Sequence, residues 1–258
     1  MTAADSRGRL LLMPNTLDLG AAEVPLTDVL AGGVITAASR LLHWVVEDAR
    51  SARAFLNRVN RIAPLAQPLQ QTLVCELPRP PKGAPRPAPA AGPSPWAALL
   101  APALAGHDIG LLSEAGLPGV ADPGALLVAA AHDLGIPVVA LSGPSSITLA
   151  IAASGLNGQS FVFHGSLPAE AGARRARLRE LEATSRKLQQ TQVFIETPYR
   201  NAAMLETCLE ALQPATRLAI ACGLTLAEGW AHTRGVAQWK AAKAVLPDRV
   251  PAVFSLLG

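Results

Sequence analysis

Aromatic side chains are scarce in this sequence, at 4% of its 258 residues, so its core must be assembled from Ala, Leu, Val and Ile. Charge is scarce too, at 16%, while half of the residues are hydrophobic. Such a balance excludes wholesale disorder and supplies a full core, either as one large domain or as two modest ones. Cysteine is limited to Cys75, Cys208 and Cys222, far apart and with no C-x-x-C pair. That argues against a disulfide framework or a zinc site and for free thiols in a reducing compartment. The five histidines show no metal-ligand spacing, so no metal is expected. No apolar run reaches the roughly 20 residues that a membrane span needs. Met1 to Gly8 lack an apolar signal segment, so the protein is expected to be soluble and cytoplasmic, with no membrane partner. The usual nucleotide and hydrolase fingerprints are missing as well. There is no G-x-x-x-x-G-K-[ST], no G-x-G-x-x-G after the first strand and no G-x-S-x-G. Their absence counts against kinase, ATPase, dehydrogenase and α/β-hydrolase readings.

What is present is an alternation of short apolar runs with longer helical segments. Strands are expected at 10–13, 45–46, 108–112, 137–141, 161–163, 192–195, 217–221 and 251–257. Helices are expected at 51–59, 96–104, 125–134, 171–189 and 201–212, and from Ser145 or Ser146 to Ser154, with a serine hydroxyl capping the last of these. The alternation predicts an α/β fold built on mostly parallel sheets. A domain boundary is expected near Gly143, giving domains 1–142 and 143–258. The stretch 77–95 is crowded with proline, which excludes helix interior and central strand and leaves a surface loop or a disordered insertion. The net charge of +3 permits a polyanionic partner without requiring one.

In open α/β sheets ligands bind beyond the carboxyl ends of strands. Four loops are candidates for that place: 14–20, beginning at Pro14; 113–124; 142–147; and 196–200. The second carries three glycines and two prolines in twelve positions. It is either a long turn or a loop whose main-chain groups approach a ligand closely. Glu47, Asp48 and Arg50 either orient an acceptor or serve as a helix cap and a surface ion pair; Glu196, Tyr199 and Arg200 carry the same two readings. The basic run Arg174, Arg175, Arg177, Arg179, Arg186 and Lys187 is either a solvated helix face or a phosphate contact. His164 either lines a cleft or is a hydrogen-bonded structural histidine.

At these loops the chain resembles the tetrapyrrole methylase superfamily of S-adenosylmethionine-dependent methyltransferases. Within it, the match is to the branch that 2'-O-methylates a ribose in small-subunit ribosomal RNA. That branch carries S-D-A-G-T-P-x-x-S-D-P-G; residues 113–124 read S-E-A-G-L-P-G-V-A-D-P-G, with seven of the ten specified positions identical. The branch's P-G-P-x-A segment is matched by L-S-G-P-S-S at 141–146, and its S-G-L by Ser154, Gly155 and Leu156. Its A-E-D-T-R is V-E-D-A-R at 46–50, and its E-S-x-x-R lies in F-I-E-T-P-Y-R at 194–200. The matches keep one order over more than half of the chain.

The resemblance implies two α/β domains with a cofactor cleft between them, a homodimer and an RNA acceptor. The cofactor is S-adenosylmethionine, leaving as S-adenosylhomocysteine. It places cofactor contacts at Pro14, Ala115, Gly116, Leu117, Val120, Ser145, Ser146, Glu196, Thr197, Gly223 and Leu224. Acceptor-side candidates are Glu47, Asp48, Arg50, Tyr199 and Arg200. Departures are also plain. The branch's T-P-I-G-N-L-x-D-I is L-M-P-N-T-L-D at 12–18, Leu117 replaces an acidic or hydroxyl residue, and R-E-L-T reads C-G-L-T at 222–225. Two alternatives therefore stand beside an active RNA methyltransferase: a degenerate member that binds the cofactor without catalysis, and a tetrapyrrole carbon-methyltransferase.

Overall fold

The computed structural model describes residues 7–17, 24–78 and 95–258. The proline-rich stretch, at 79–94, and residues 18–20 of the first loop lie outside them. The chain divides into two compact units, one ending at Pro144 and one running over Ser145–Gly258.

The first unit runs β1 (Leu10–Met13), α1 (Leu26–Val29), α2 (Gly32–Arg40), β2 (His43–Val46), α3 (Ala49–Asn60) and β3 (Leu73–Glu76). It continues with α4 (Pro95–Ala98), α5 (Ala101–Leu104), β4 (Ile109–Leu112), α6 (Gly124–Asp133) and β5 (Val138–Ala140). Its sheet has the order β3-β2-β4-β1-β5 and is parallel throughout. The apolar runs of β1 and β4 follow from that position, because a parallel sheet is covered on both faces. Leu11, Met13, Trp44, Val46 and Leu112 pack with α2 and α3 on one face. Leu10, Val45, Ile109 and Leu111 pack with Leu100, Leu127 and Ala131 on the other. Each such side chain contributes about 1.5–3 kcal/mol when fully buried. The register puts Leu10, His43 and Ile109 level at one edge, and Met13, Val46 and Leu112 level at the other. The loops leaving β1, β2 and β4 therefore emerge side by side.

The second unit runs α7 (Ser146–Ser154), β6 (Phe161–Ser166), α8 (Ala171–Leu188), β7 (Thr191–Glu196) and α9 (Asn201–Ala211). It closes with β8 (Arg217–Cys222), β9 (Trp230–Gly235), α10 (Val236–Ala242) and β10 (Ala252–Leu257). The sheet order is β6-β7-β10-β8-β9. Ile147, Ala150 and Ile151 of α7 cover one face over Val193, Ala221 and Val253. Helices α8, α9 and α10 cover the other around Phe194 and Phe254, whose rings stack at 5.5 Å.

Several expectations are corrected. Only β6–β7 is parallel in the second sheet; β7–β10, β10–β8 and β8–β9 are antiparallel. Alternation fixes direction only where a helix crosses over between neighbours, whereas β8 and β9 form a hairpin closed by 223–229. The helix expected over 96–104 is two short helices, because Pro102 has no N–H and cannot continue a turn begun at Pro95. Ser145 is the N-cap of α7, but its hydroxyl makes no cap bond; its carbonyl accepts from Leu149 N at 3.0 Å and Thr148 Oγ1 at 3.2 Å. The basic run on α8 is not one solvated face. Arg174 is buried and donates to Thr207 Oγ1 at 3.0 Å, while Arg175 and Arg177 pair with Glu210 and Glu180. His164 is hydrogen-bonded to Gln192 Oε1 at 2.7 Å. Among the described residues no helix is long and apolar enough to cross a membrane.

Candidate functional site

In the first unit the 113–124 loop folds around two features that its sequence dictates. Gly116 and Gly119 have φ of +73° and +84°, in the left-handed region that glycine occupies without penalty. Asp122 then gathers the turn: its carboxylate accepts from Gly119 N at 2.8 Å and Gly124 N at 2.6 Å. Burial pushes the Asp122 carboxyl up from its ordinary value, against the amides of Gly119, Gly124 and Val120 that donate to it.

Asn15, which no motif singled out, fastens this loop to the end of β1. Its backbone forms a bridge with Gly116, N–H to O at 2.9 Å and 3.0 Å in the two directions. Its side-chain Nδ2 donates to Ser113 O at 3.1 Å and Glu114 O at 3.0 Å, and Oδ1 accepts from Thr16 N at 2.9 Å. Thr16 in turn accepts from Arg58 Nη1 at 2.9 Å. Asn15 is 5% exposed, so these groups have no water to fall back on. The signal in the sequence was an amide residue at the carboxyl end of an apolar strand. We expect Asn15→Ala to lower stability by about 2 kcal/mol. Hydrogen exchange should quicken at Thr16 and Gly116 ahead of β4; protection unchanged at both would refute the role.

The neighbouring loops join the same edge. Glu47 N–H donates to Leu112 O at 3.0 Å, and Glu47 Oε2 accepts from Glu114 N at 3.1 Å. Asp48 caps α3 by accepting from Ser51 N at 2.8 Å. Both carboxylates thus make structural bonds, while Arg50 is exposed. Leu141 continues β5 through a bond to Leu12 O, and Gly143 lies directly over Pro14, so close that a Cβ on it would stand 2.1 Å from the Pro14 Cβ. Ala115 and Val120 are exposed, Gly116 and Leu117 half-buried, and Pro14 is buried.

In the second unit, Glu196, Cys222 and Ala252 are level across β7, β8 and β10. The turns at Thr197 and Gly223 therefore leave one sheet edge together. The far end of α7 sits over the start of β8, where Arg217 reaches Gly155 O and Thr233 Oγ1 donates to Ser154 O at 2.6 Å. Its first turn, at Ser146, is thereby directed toward that same edge, with its amides free of any side-chain cap. The Glu196 carboxylate is buried and committed. Oε1 accepts from Thr197 N at 2.8 Å, and Oε2 pairs with Arg200 Nη2 at 2.7 Å. Tyr199 projects into solvent at 77% exposure. Gly223, at φ +56°, opens a turn closed by Leu226 N to Gly223 O at 2.7 Å, and Leu224 is half-buried against the α7 cluster. Burial holds the Cys222 thiol protonated, pushed up to about 11, so it is no nucleophile at neutral pH. Among the described residues no group of three or more His, Cys, Asp or Glu is placed to hold a metal ion.

Comparison with known proteins adds the lineage. Residues 35–235 match the model of the Tetrapyrrole (Corrin/Porphyrin) Methylases. The chain is 43% identical over 120 residues to the ribosomal RNA small subunit methyltransferase I of Mycobacterium bovis, covering 46% of this chain and 41% of that one. It is 39% identical over 122 residues to the protein of the same name from Vibrio cholerae, covering 47% and 41%. The matched region spans about two-fifths of the length of these curated relatives. Among solved structures, the uroporphyrin-III C-methyltransferase of Thermus thermophilus complexed with S-adenyl homocysteine superposes with a TM-score of 0.54 at 16% identity, covering 97% of each chain. Another structure of the Thermus thermophilus enzyme gives 0.52 at 18% identity, covering 97% of this chain and 94% of that one. These likenesses establish the fold.

Proposed function

The chain belongs to the tetrapyrrole methylase family, and from that premise we propose that it is a methyltransferase that uses S-adenosylmethionine and releases S-adenosylhomocysteine. The observation that carries the proposal is the 113–124 loop: a cradle of main-chain groups at the carboxyl ends of parallel strands, with room at Gly116 for a Cβ in ordinary contact with Pro144 O, 3.6 Å away. S-adenosylmethionine, when bound, supplies a methyl group already activated on a sulfonium, so the protein's task is placement more than acid–base chemistry.

Ala115, Gly116, Leu117 and Val120 line the place of the cofactor, with the amide of Gly116 already given to Asn15 O and that of Val120 turned to Asp122, and buried Pro14 supports them. The uncapped first turn at Ser145 and Ser146 suits the carboxylate at the cofactor's amino-acid end. The turns at Glu196–Thr197 and Gly223–Leu224 supply further main-chain contacts. On the acceptor side stand Glu47, Asp48, Arg50, Tyr199 and Arg200. Of these, Arg50 and Tyr199 have side chains in solvent, and Tyr199 is fitted to stack on a base. The acceptor we assign is a ribose hydroxyl of small-subunit ribosomal RNA, and the working form a cytoplasmic homodimer. Sequence identity to the named RNA methyltransferases supports the acceptor.

Calorimetric titration of the purified protein with S-adenosylmethionine and S-adenosylhomocysteine tests the cofactor. Micromolar binding is expected, and a folded protein that binds neither would sink the enzyme. Transfer of labelled methyl to small-subunit ribosomal RNA tests the acceptor. RNA affinity should fall steeply with salt, as phosphate contacts require.

A further inference from the structure

The opposite edge of the first sheet, where its central strands begin, holds a second constellation. Leu10, His43 and Ile109 are level there, so the residues leading into β1, β2 and β4 converge. They line a cleft of about 500 Å³ whose polar wall is Arg7, Arg9, Arg40, His43, His107 and Asp108. The imbalance of charge is marked. Among the described residues Asp108 is the one acid of the lining, and Arg9 neutralises it, Nη2 to Oδ2 at 2.6 Å. That pairing holds the Asp108 carboxyl below its ordinary value, so the pair stays charged and closed. Arg7 bonds carbonyls at the end of α6, Leu134 O and Gly135 O. Among the described residues neither Arg7 nor Arg40 pairs with a carboxylate. The rings of His43 and His107 lie with centroids 5.2 Å apart, tilted by 38°. Arginine and histidine arriving from three strand starts and the end of α2 surround one volume with N–H donors and uncompensated positive charge.

The geometry points to a binding site for a phosphate group at this edge, separate from the loops assigned to the cofactor. Guanidinium forks match phosphate oxygens two at a time, and imidazoles add charge-assisted donors. Donors arriving from four directions suit the tetrahedral oxygens and greater charge of a phosphate better than the two coplanar oxygens of a carboxylate. The cleft is larger than one phosphate and falls in the range of organic ligands, so the phosphate enters attached to something or as one link of a chain. Burial and the neighbouring His107 hold the His43 imidazole below its ordinary value, facing Arg7, Arg9, Arg40, His107 and Asp108. A bound anion relieves that repulsion.

The imidazole carbon-bound proton signals of His43 and His107 report directly on the site. Titration with inorganic phosphate should move both saturably, with millimolar affinity. Arg40→Glu should weaken this at least tenfold, and Arg40→Gln by less, with Arg40→Gln serving should the charge reversal unfold α2. S-adenosylmethionine titration of the same variants should be unchanged, which separates this site from the proposed cofactor site. A short RNA oligonucleotide that moves the same signals identifies the source as a polynucleotide backbone. Phosphate binding without oligonucleotide binding identifies a small phosphate-bearing ligand in place of a polynucleotide backbone. Signals that respond to neither, or a response indifferent to Arg40→Glu, would overturn the assignment.

Discussion

Gly116→Trp should abolish the binding of S-adenosylmethionine while leaving the protein folded. The nearest atom to a Cβ at this position is Pro144 O at 3.6 Å, an ordinary contact, so a side chain can begin beside the 113–124 loop without a clash. The bridge to Asn15 is made by main-chain atoms and survives the change. The indole then occupies the volume assigned to the cofactor. Its cost to the fold comes from φ +73°, about 1–2 kcal/mol for a residue with a Cβ. Gly116→Ala carries the same backbone strain without the bulk, and so separates strain from occlusion. Alanine should keep cofactor affinity within about tenfold, and tryptophan should lose at least about 100-fold, roughly 2.7 kcal/mol. A folded tryptophan variant that binds with undiminished affinity would move the cofactor away from this loop.

Gly143→Val should produce a large loss of stability. A Cβ at Gly143 would lie 2.1 Å from Pro14 Cβ and 2.4 Å from its Cγ. The proline ring has no rotamer to swing away, so either the end of β1 or the turn after β5 must shift. Overpacking of this kind costs about 3 kcal/mol, which for a chain of this size lowers Tm by roughly 6–12 °C. Gly33→Ala is the control, since nothing lies within 4 Å of its Cβ and α2 gains a better helix former. Differential scanning calorimetry of the pair decides the matter: equal melting temperatures would show that the approach of Gly143 to Pro14 is not rigid.

The parts legible in the sequence were those where one physical demand dominates. β1 and β4 read as strands because strands covered on both faces must be apolar at successive positions. The edge strands did not. β3 is mostly exposed, and β9 alternates Trp230, His232 and Arg234 with Ala231 and Thr233, a pattern that composition does not separate from a loop. The 113–124 loop was legible because clustered glycine and proline have few other uses. Asn15 was not, because its value lies in three carbonyl and amide partners, two of which arrive about a hundred residues later. Arg174 was misjudged for a similar reason: a basic run looks solvated until Thr207 and Ala169 are seen to meet one member of it.

The strand order of the first unit also bears on how the chain is made. β1 lies between β4 and β5, paired to Ile109 and to Val138 rather than to anything near it in the chain. On the ribosome, Leu-Leu-Leu-Met emerges with both edges open and waits about 100 residues for its first partner, roughly 5–20 s at ordinary rates of elongation. Until Ala140 has cleared the exit tunnel, that strand is a ready ligand for a chaperone or for another nascent chain. Slower translation across this stretch is therefore expected to lengthen that exposure, while leaving the finished fold unchanged.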